Sequence, residues 1–470
     1  MMTVDLLLIE LNKKSQTPLY EQIYNQIRQD IIQGKLSVGM KLPSKRKLGD
    51  YLNVSQTTIE FAYGQLTAEG YIVAKPRRGF FVQAIEELAY VQKKNLAEVP
   101  AKKMPINIDY DFSPGHIDTE HFPFSKWRKY AKDIIDETSQ HLLHLGDPHG
   151  DFELRNEIAR YLYHSRGVDC TPEQILIGSG TEQLLPLIIR ILGKDTVFAI
   201  EDPGYPLTHY VFEDLGRNSI PIAVDLDGIN TDQLQQTAAK VAYVTPSHQF
   251  PTGTVLSARR RVALLNWAAS EEERFIIEDD YDSEFRYTGR PIPALYGMDQ
   301  GEHVIYISTF SKSLMPSLRI AYTVLPNILL KRYQDAFIHY VSTVPRIEQH
   351  ILARFMRDGH FSKHLNRMRT IYKRKSQILL EALAPYNEQI TYFGEETGMH
   401  LTITVKHHLA EAELLQLAED AGIRLYSLNM YRKDKVTGIP SFILGFGGLS
   451  EQQIQAGIKQ LMAAWDITTK

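Results

Sequence analysis

After residue 110, short and almost wholly apolar runs recur between stretches of helical periodicity, and this alternation restricts the fold more than any other feature. Ile175-Leu176-Ile177-Gly178, Thr196-Val197-Phe198-Ala199-Ile200, Val241-Ala242-Tyr243-Val244, Phe275-Ile276-Ile277 and Val304-Ile305-Tyr306-Ile307 read as buried strands. Strands without a polar face must be covered on both sides. The expected class is therefore α/β, a mainly parallel sheet sheathed by helices. In such sheets ligands sit beyond the carboxyl ends of the strands. The polar motifs of this chain fall there.

Gly178-Ser179-Gly180-Thr181 follows one strand and opens a helix, so Ser179, Gly180 and Thr181 can bring backbone amides to a phosphate. Glu278-Asp279-Asp280-Tyr281-Asp282 follows another. A carboxylate there can keep a pyridinium nitrogen protonated. A metal site is the rival reading, although no His-Cys pattern stands nearby. A solvated acidic loop is the plainest reading of that motif alone. Ser308 to Arg319 then places Lys312 between Ser311 and Ser313, with Arg319 seven residues on. An amine, hydroxyls and a guanidinium at that spacing can offer an imine nitrogen and two kinds of phosphate contact. A lone lysine is usually a solvated surface group. The combination, in this chain order, argues against that for Lys312.

The total charge of −4 hides an asymmetry. Residues 12–83 hold eleven basic and five acidic side chains, a net +6, which leaves −10 for the rest. A basic module on an acidic body suits a nucleic-acid reader joined to something else. Leu19, Tyr20, Ile23, Ile27 and Ile31 mark a helix that ends at Gly34. A short helix follows from about Ser44 to Leu52, and a third begins after Ser55, with Ile59, Ala62, Tyr63 and Leu66 as its core face. Two apolar runs joined by Lys75-Pro76-Arg77-Arg78-Gly79 complete a winged helix-turn-helix. Gln56 and Thr57, flanked by Ser55 and Thr58, would meet base edges and phosphates. Ser44, Lys45 and Arg46 would hold the backbone, and Arg77, Arg78 and Gly79 form the wing tip. Residues 84–109 lose periodicity and read as a linker, with the second domain spanning 110–470.

No run of about 18 apolar residues suggests a membrane span. A single cysteine, Cys170, excludes an internal disulfide and fits a reducing cytoplasm. It reads as an idle thiol.

Gly39-Met40-Lys41-Leu42-Pro43-Ser44-Lys45-Arg46-Lys47-Leu48, Val54-Ser55-Gln56-Thr57-Thr58-Ile59 and Ala68-Glu69-Gly70-Tyr71 resemble the GntR family of bacterial regulators. Position 56, often Arg in that family, is Gln here, so the operator is not implied. The later motifs, with Gly146-Asp147-Pro148-His149-Gly150 and Glu201-Asp202-Pro203-Gly204-Tyr205, resemble fold type I enzymes of the class I aminotransferase group. That resemblance implies a pyridoxal phosphate cofactor linked to Lys312 as an imine. It implies Asp279 at the pyridine nitrogen, Tyr281 at the ring hydroxyl, Tyr205 stacked on the ring, and Ser179, Gly180, Thr181, Ser311 and Arg319 at the phosphate. The whole chain resembles the MocR/GabR regulators. This implies operator DNA as partner and a homodimer, head-to-tail and domain-swapped.

Three departures bear on function. Phe250 stands where aminotransferases carry an Asn before Pro-x-Gly. No arginine for a substrate α-carboxylate appears in Phe442 to Gly448. Pro206 and Leu207 stand where the γ-aminobutyrate-responsive branch has an arginine, although Arg432 could match that branch's second one. The expectation is a sensor rather than an enzyme, of the branch that answers pyridoxal phosphate to control vitamin B6 synthesis. The alternatives are an amino-acid-responsive regulator and a working aminotransferase with an appended DNA reader.

Overall fold

The computed structural model describes residues 9–84, 107–289, 292–300, 302–337, 339–434 and 438–468. The linker expected over 84–109 lies, apart from its ends, outside them. The chain divides into two compact units, Met1–Met104 and Pro105–Lys470.

In the first unit, α1 (Leu19–Ile32), α2 (Lys45–Leu52) and α3 (Gln56–Ala68) precede a hairpin of β1 (Ile72–Lys75) and β2 (Gly79–Val82). The helix starts are set by local chemistry. Ser44 Oγ accepts from the Lys47 amide at 3.2 Å and Ser55 Oγ from the Thr58 amide at 3.1 Å, each satisfying a donor that the first turn leaves free. Between them Asn53 turns the chain through the left-handed region, φ 51°, a conformation Asn tolerates better than most residues. Ile23, Ile27, Leu48, Ile59, Ala62, Tyr63 and Leu66 are fully buried and form one core with Ile72 and Val82 of the wing.

In the second unit a short parallel pair, β3 (Tyr110–Asp111) and β14 (Ile423–Arg424), stands apart from the main sheet. The main sheet holds β4 (Ile175–Gly178), β5 (Phe198–Asp202), β6 (Ser219–Asp225), β7 (Gly228–Ile229), β8 (Val241–Val244), β9 (Phe275–Asp280), β10 (Val304–Thr309) and β11 (Ala321–Val324). Its order is β4-β11-β10-β9-β8-β5-β6-β7. Neighbours from β10 through β6 pair in parallel, whereas β11 runs against both β10 and β4, and β7 turns back on β6. The sheet is mainly parallel, as the apolar runs imply. Alternate residues feed opposite faces: Ile305, Ile307 and Ile277 join one core, while Val304 and Ile276 join another. A second sheet, antiparallel, contains β12 (Ile390–Phe393), β13 (His400–Val405), β16 (Ser441–Gly445) and β15 (Tyr426–Ser427), in that order.

Two sequence readings shift in detail. The strand expected from Thr196 begins at Phe198. Glu278, Asp279 and Asp280 are the last residues of β9 rather than a loop after it. No helix among the described residues is long and apolar enough to cross a membrane.

Candidate functional site

The carboxyl ends of β4, β5, β8, β9 and β10 open on one edge of the main sheet, and a cleft of about 620 Å³ lies there. Gly180 and Thr181 line it after β4, Tyr205 after β5, Thr245 and Phe250 after β8, Tyr281 after β9, and Ser311, Lys312 and Arg319 after β10.

Lys312 sits on the one-turn helix Phe310–Ser313. That turn starts where Thr309 Oγ1 accepts from the Ser311 amide at 3.1 Å. Lys312 Nζ donates to the carbonyl of Pro114. Burial disfavours its ammonium and pulls its pKa down to about 8, with Asp282 opposing. Arg319, left-handed at φ 51°, closes the turn after Pro316–Leu318 and forms an ion pair with Glu182. Gly180 lies beneath that guanidinium at φ 152°. A Cβ added there would stand 2.3 Å from Arg319 Nη2, so glycine alone keeps the cradle between amide and guanidinium open.

Asp279 is 5 % exposed. Tyr243 donates to its Oδ2, while Oδ1 is buried with no partner. Burial first, then Asp280 and Asp282, push its pKa up to about 7. A carboxylate so placed lacks a cation or a donor. Its neighbour Asp280 is engaged through Oδ2, 2.7 Å from Arg166 Nε and accepting from Tyr306 at 2.6 Å, while its Oδ1 is buried without a partner. This network fixes the end of β9.

Tyr205 caps the helix Pro206–Asp214, and its ring meets Phe250 edge-on at 5.6 Å. Tyr281 donates to the His248 carbonyl at 3.0 Å. Behind the cleft, Glu201 accepts from Thr245 Oγ1 at 2.6 Å and from Gln249, and burial raises its pKa to about 7.

The fold thus brings Gly180, Thr181, Tyr205, Tyr281, Ser311, Lys312 and Arg319 to one cleft, with Asp279 buried beside them. Two expected residues stand outside. Ser179 does not line the cleft; its amide donates to Gln183 Oε1 at 3.2 Å. Arg432 lines a smaller neighbouring hollow of about 80 Å³, and Tyr431 lines both that hollow and the Lys312 cleft. Missing from the sequence reading are Tyr426 and Tyr431 on the cleft wall, and His248 and His400, which the fold brings to Asp282. The histidines lie 34 and 118 positions from Asp282, on separate elements, so spacing carries no signal of them.

On the first unit, Ser55, Gln56 and Thr57 are exposed at the start of α3, with Thr58 half-buried beside them. Arg46, Arg77 and Arg78 are exposed, and Gly79 at the wing tip has φ 102°. Lys45 is committed to Glu60 in an ion pair and lies 5.6 Å over the Phe80 ring. Arg78 reaches back over Phe81 at 5.8 Å.

Comparison with known proteins agrees with this geometry. Residues 109–457 match the family Aminotransferase class I and II, and residues 19–82 match Bacterial regulatory proteins, gntR family. The chain is 43 % identical to the uncharacterized HTH-type transcriptional regulator YdeL of Bacillus subtilis (strain 168), over 97 % of this chain and 99 % of that one. It is 30 % identical to the HTH-type pyridoxine biosynthesis transcriptional regulator PdxR of Corynebacterium glutamicum, over 80 % and 81 %. Among solved structures it resembles Pyrococcus horikoshii kynurenine aminotransferase in complex with PMP. The TM-score is 0.68 at 26 % identity, covering 77 % of this chain and 91 % of that one.

Proposed function

Because the chain belongs to the MocR-type transcriptional regulators, in which a gntR-family winged helix precedes a class I and II aminotransferase domain, we propose that it senses pyridoxal phosphate and controls genes of vitamin B6 synthesis. The cleft residues fit that cofactor on two structural grounds. Asp279 Oδ1 is a buried acceptor without a partner, and Gly180 leaves a cradle under Arg319 that a Cβ would fill. When bound, pyridoxal phosphate supplies an aldehyde that bonds to an amine and a phosphate that seeks cations. Lys312 would provide the amine, and its lowered pKa keeps part of it neutral and nucleophilic. Arg319, Ser311, Thr181 and the Gly180 amide would hold the phosphate, while the Ser179 amide is given to Gln183. Asp279 would keep the ring nitrogen protonated, and that cation would in turn favour its carboxylate. Tyr205 would cover the ring and Tyr281 would meet its hydroxyl.

One observation carries the choice of signal. Among the described residues lining the cleft, Lys312 and Arg319 are the cations. Once both serve the cofactor, a carboxylate effector within the cleft would find Leu207, Phe250, Tyr210 and Tyr431, with Arg432 set on the adjoining hollow across Tyr210 and Tyr431, and an unpaired buried charge is costly. The cofactor itself then suits the part of signal, as the name of the PdxR relative also suggests. The same lack of a carboxylate grip favours a sensor over a transaminase. We read the winged helix as the operator contact and the molecule as a head-to-tail homodimer presenting two of them. A ligand shifts such an assembly only through unequal affinity for its states.

The test is operator retardation by the full-length protein, titrated with pyridoxal phosphate and, separately, with γ-aminobutyrate in the cofactor's presence. A shift with pyridoxal phosphate alone supports the reading. A shift that needs the amino acid replaces it with the amino-acid-responsive one, and steady-state turnover of amino donors would make the chain an enzyme.

A further inference from the structure

His248, Asp282 and His400 lie behind the cleft at 1, 1 and 2 % exposure, and none has a part in the assignments above. His248 Nδ1 is 2.8 Å from Asp282 Oδ2 and 3.1 Å from the Tyr281 hydroxyl oxygen. The niche is built to the size of that imidazole. A Cβ on Gly398 would stand 2.0 Å from His248 Cε1 and 2.8 Å from Asp282 Oδ2. His400 lies ring to ring with His248 at 4.6 Å, and its Nε2 is 3.1 Å from the Pro251 carbonyl. The three side chains have donor atoms within 4.8 Å of one another, a spacing that can hold a cation. Part of their bonding is already made, although His248 Nε2 and Asp282 Oδ1 are buried without a partner. His248 and Asp282 hold each other, and His400 lies tilted 39° against His248 with its Nε2 turned to a carbonyl.

The acceptors fix where the protons are. A carboxylate facing His248 Nδ1 requires the proton on that nitrogen. A carbonyl facing His400 Nε2 requires it there. The Tyr281 phenol has one proton, which it gives to the His248 carbonyl. It cannot offer that proton to a ligand in the cleft without turning away, and its oxygen then faces the His248 Nδ1–H. We infer that His248, held by Asp282, is a positioning residue for Tyr281: its one Nδ1–H, shared with Asp282 Oδ2, also donates to the phenol oxygen whenever the phenol donates into the cleft. Asp282 fixes the tautomer that makes this possible, and the glycine at 398 makes room for it. The inference rests on the cofactor site proposed above.

The test uses the full-length protein, His248→Leu, His248→Asn, and each in a Tyr281→Phe background. Nitrogen-15 NMR of the cofactor-free protein should show the Nδ1–H tautomer at His248; an Nε2–H tautomer overturns the inference. His248→Leu should weaken pyridoxal phosphate binding roughly tenfold, the cost of one hydrogen bond to a charged partner. It should also raise the pH midpoint of the bound cofactor's visible band. Asp279, Asp280, Glu201, Lys312 and His400 face the same cluster and are unchanged by the substitution. His248→Asn, whose amide N–H can take the place of Nδ1–H, should restore most of both. In the Tyr281→Phe background the His248→Leu effect should vanish, because there is no hydroxyl left to back. Additive effects, or no rescue by Asn in a folded protein, overturn the pairing while leaving the cofactor reading intact. Absence of colour in the wild type overturns both.

Discussion

Lys312 Nζ lies where burial outweighs the one carboxylate that opposes it, and its pKa falls to about 8. At pH 7 roughly a tenth of the amine is then neutral, against well under a thousandth for an ordinary lysine. The neutral amine is the nucleophile. The rate of covalent capture of pyridoxal phosphate, followed by stopped-flow absorbance, should therefore rise about tenfold per pH unit below 8 and level off above it. A rate still climbing through pH 9 would mean an unperturbed lysine, and Lys312→Ala should lose the borohydride-fixed adduct altogether. Glu182 sets a second expectation. It holds Arg319 in the cofactor-free protein, both side chains about half exposed, so it competes with an incoming phosphate for the same guanidinium. Glu182→Gln should tighten pyridoxal phosphate binding a few-fold, within the range of an exposed ion pair, and a weaker Kd would show Glu182 to be a contact rather than a competitor. At this scale Lys312, Gly180 and Arg319 are legible because strand, turn and helix follow one another locally. His248 and Asp282 are not, since their meeting depends on two loops of the tertiary fold.

Single elements show where sequence patterns stop informing. Ser44 and Ser55 announce helix starts because capping is local chemistry. Ala321–Val324 is as apolar as its neighbours, yet it runs antiparallel between β4 and β10. Burial on both faces removes the alternation from a strand, and a run of apolar residues carries no direction. The same loss hides β16, almost wholly buried. Conversely, Gly146-Asp147-Pro148-His149-Gly150, taken as a family motif, is a structural clamp. Arg155 Nη2 holds Asp147 at 2.8 Å, Arg155 Nε holds the Gly150 carbonyl at 2.8 Å, and a Cβ on Gly150 would stand 2.4 Å from Ile177. The β4–helix turn, by contrast, serves the ligand. Gly180→Ala would place a methyl 2.3 Å from the Arg319 guanidinium and should cost pyridoxal phosphate roughly tenfold or more in affinity. Pyridoxal, which lacks the phosphate, should bind the variant nearly as well as the parent. Equal losses for both ligands would place the damage in the fold of the turn rather than in the phosphate cradle.

The molecule as a whole carries its charge unevenly, +6 over residues 12–83 and −10 elsewhere. The remainder of the chain, at net −10, adds nothing non-specific to duplex affinity, so the salt dependence of operator binding should report the winged helix. Within it Lys45 is bound to Glu60 and Arg46, with its side chain 86 % exposed, lies 3.9 Å from Asp50, whereas Arg77 at the wing is open to phosphate. Arg77 has φ 60°, a conformation that Asn adopts at little cost. Arg77→Asn therefore removes the charge without straining the wing. The slope of log affinity against log salt should flatten by about one per winged helix engaged. If a dimer grips two half-sites, the change should be near two on a paired operator and near one on a half-site. A slope that Arg77→Asn leaves unmoved would take the wing off the DNA backbone. A change of one on both fragments would leave a single winged helix in contact and overturn the paired arrangement.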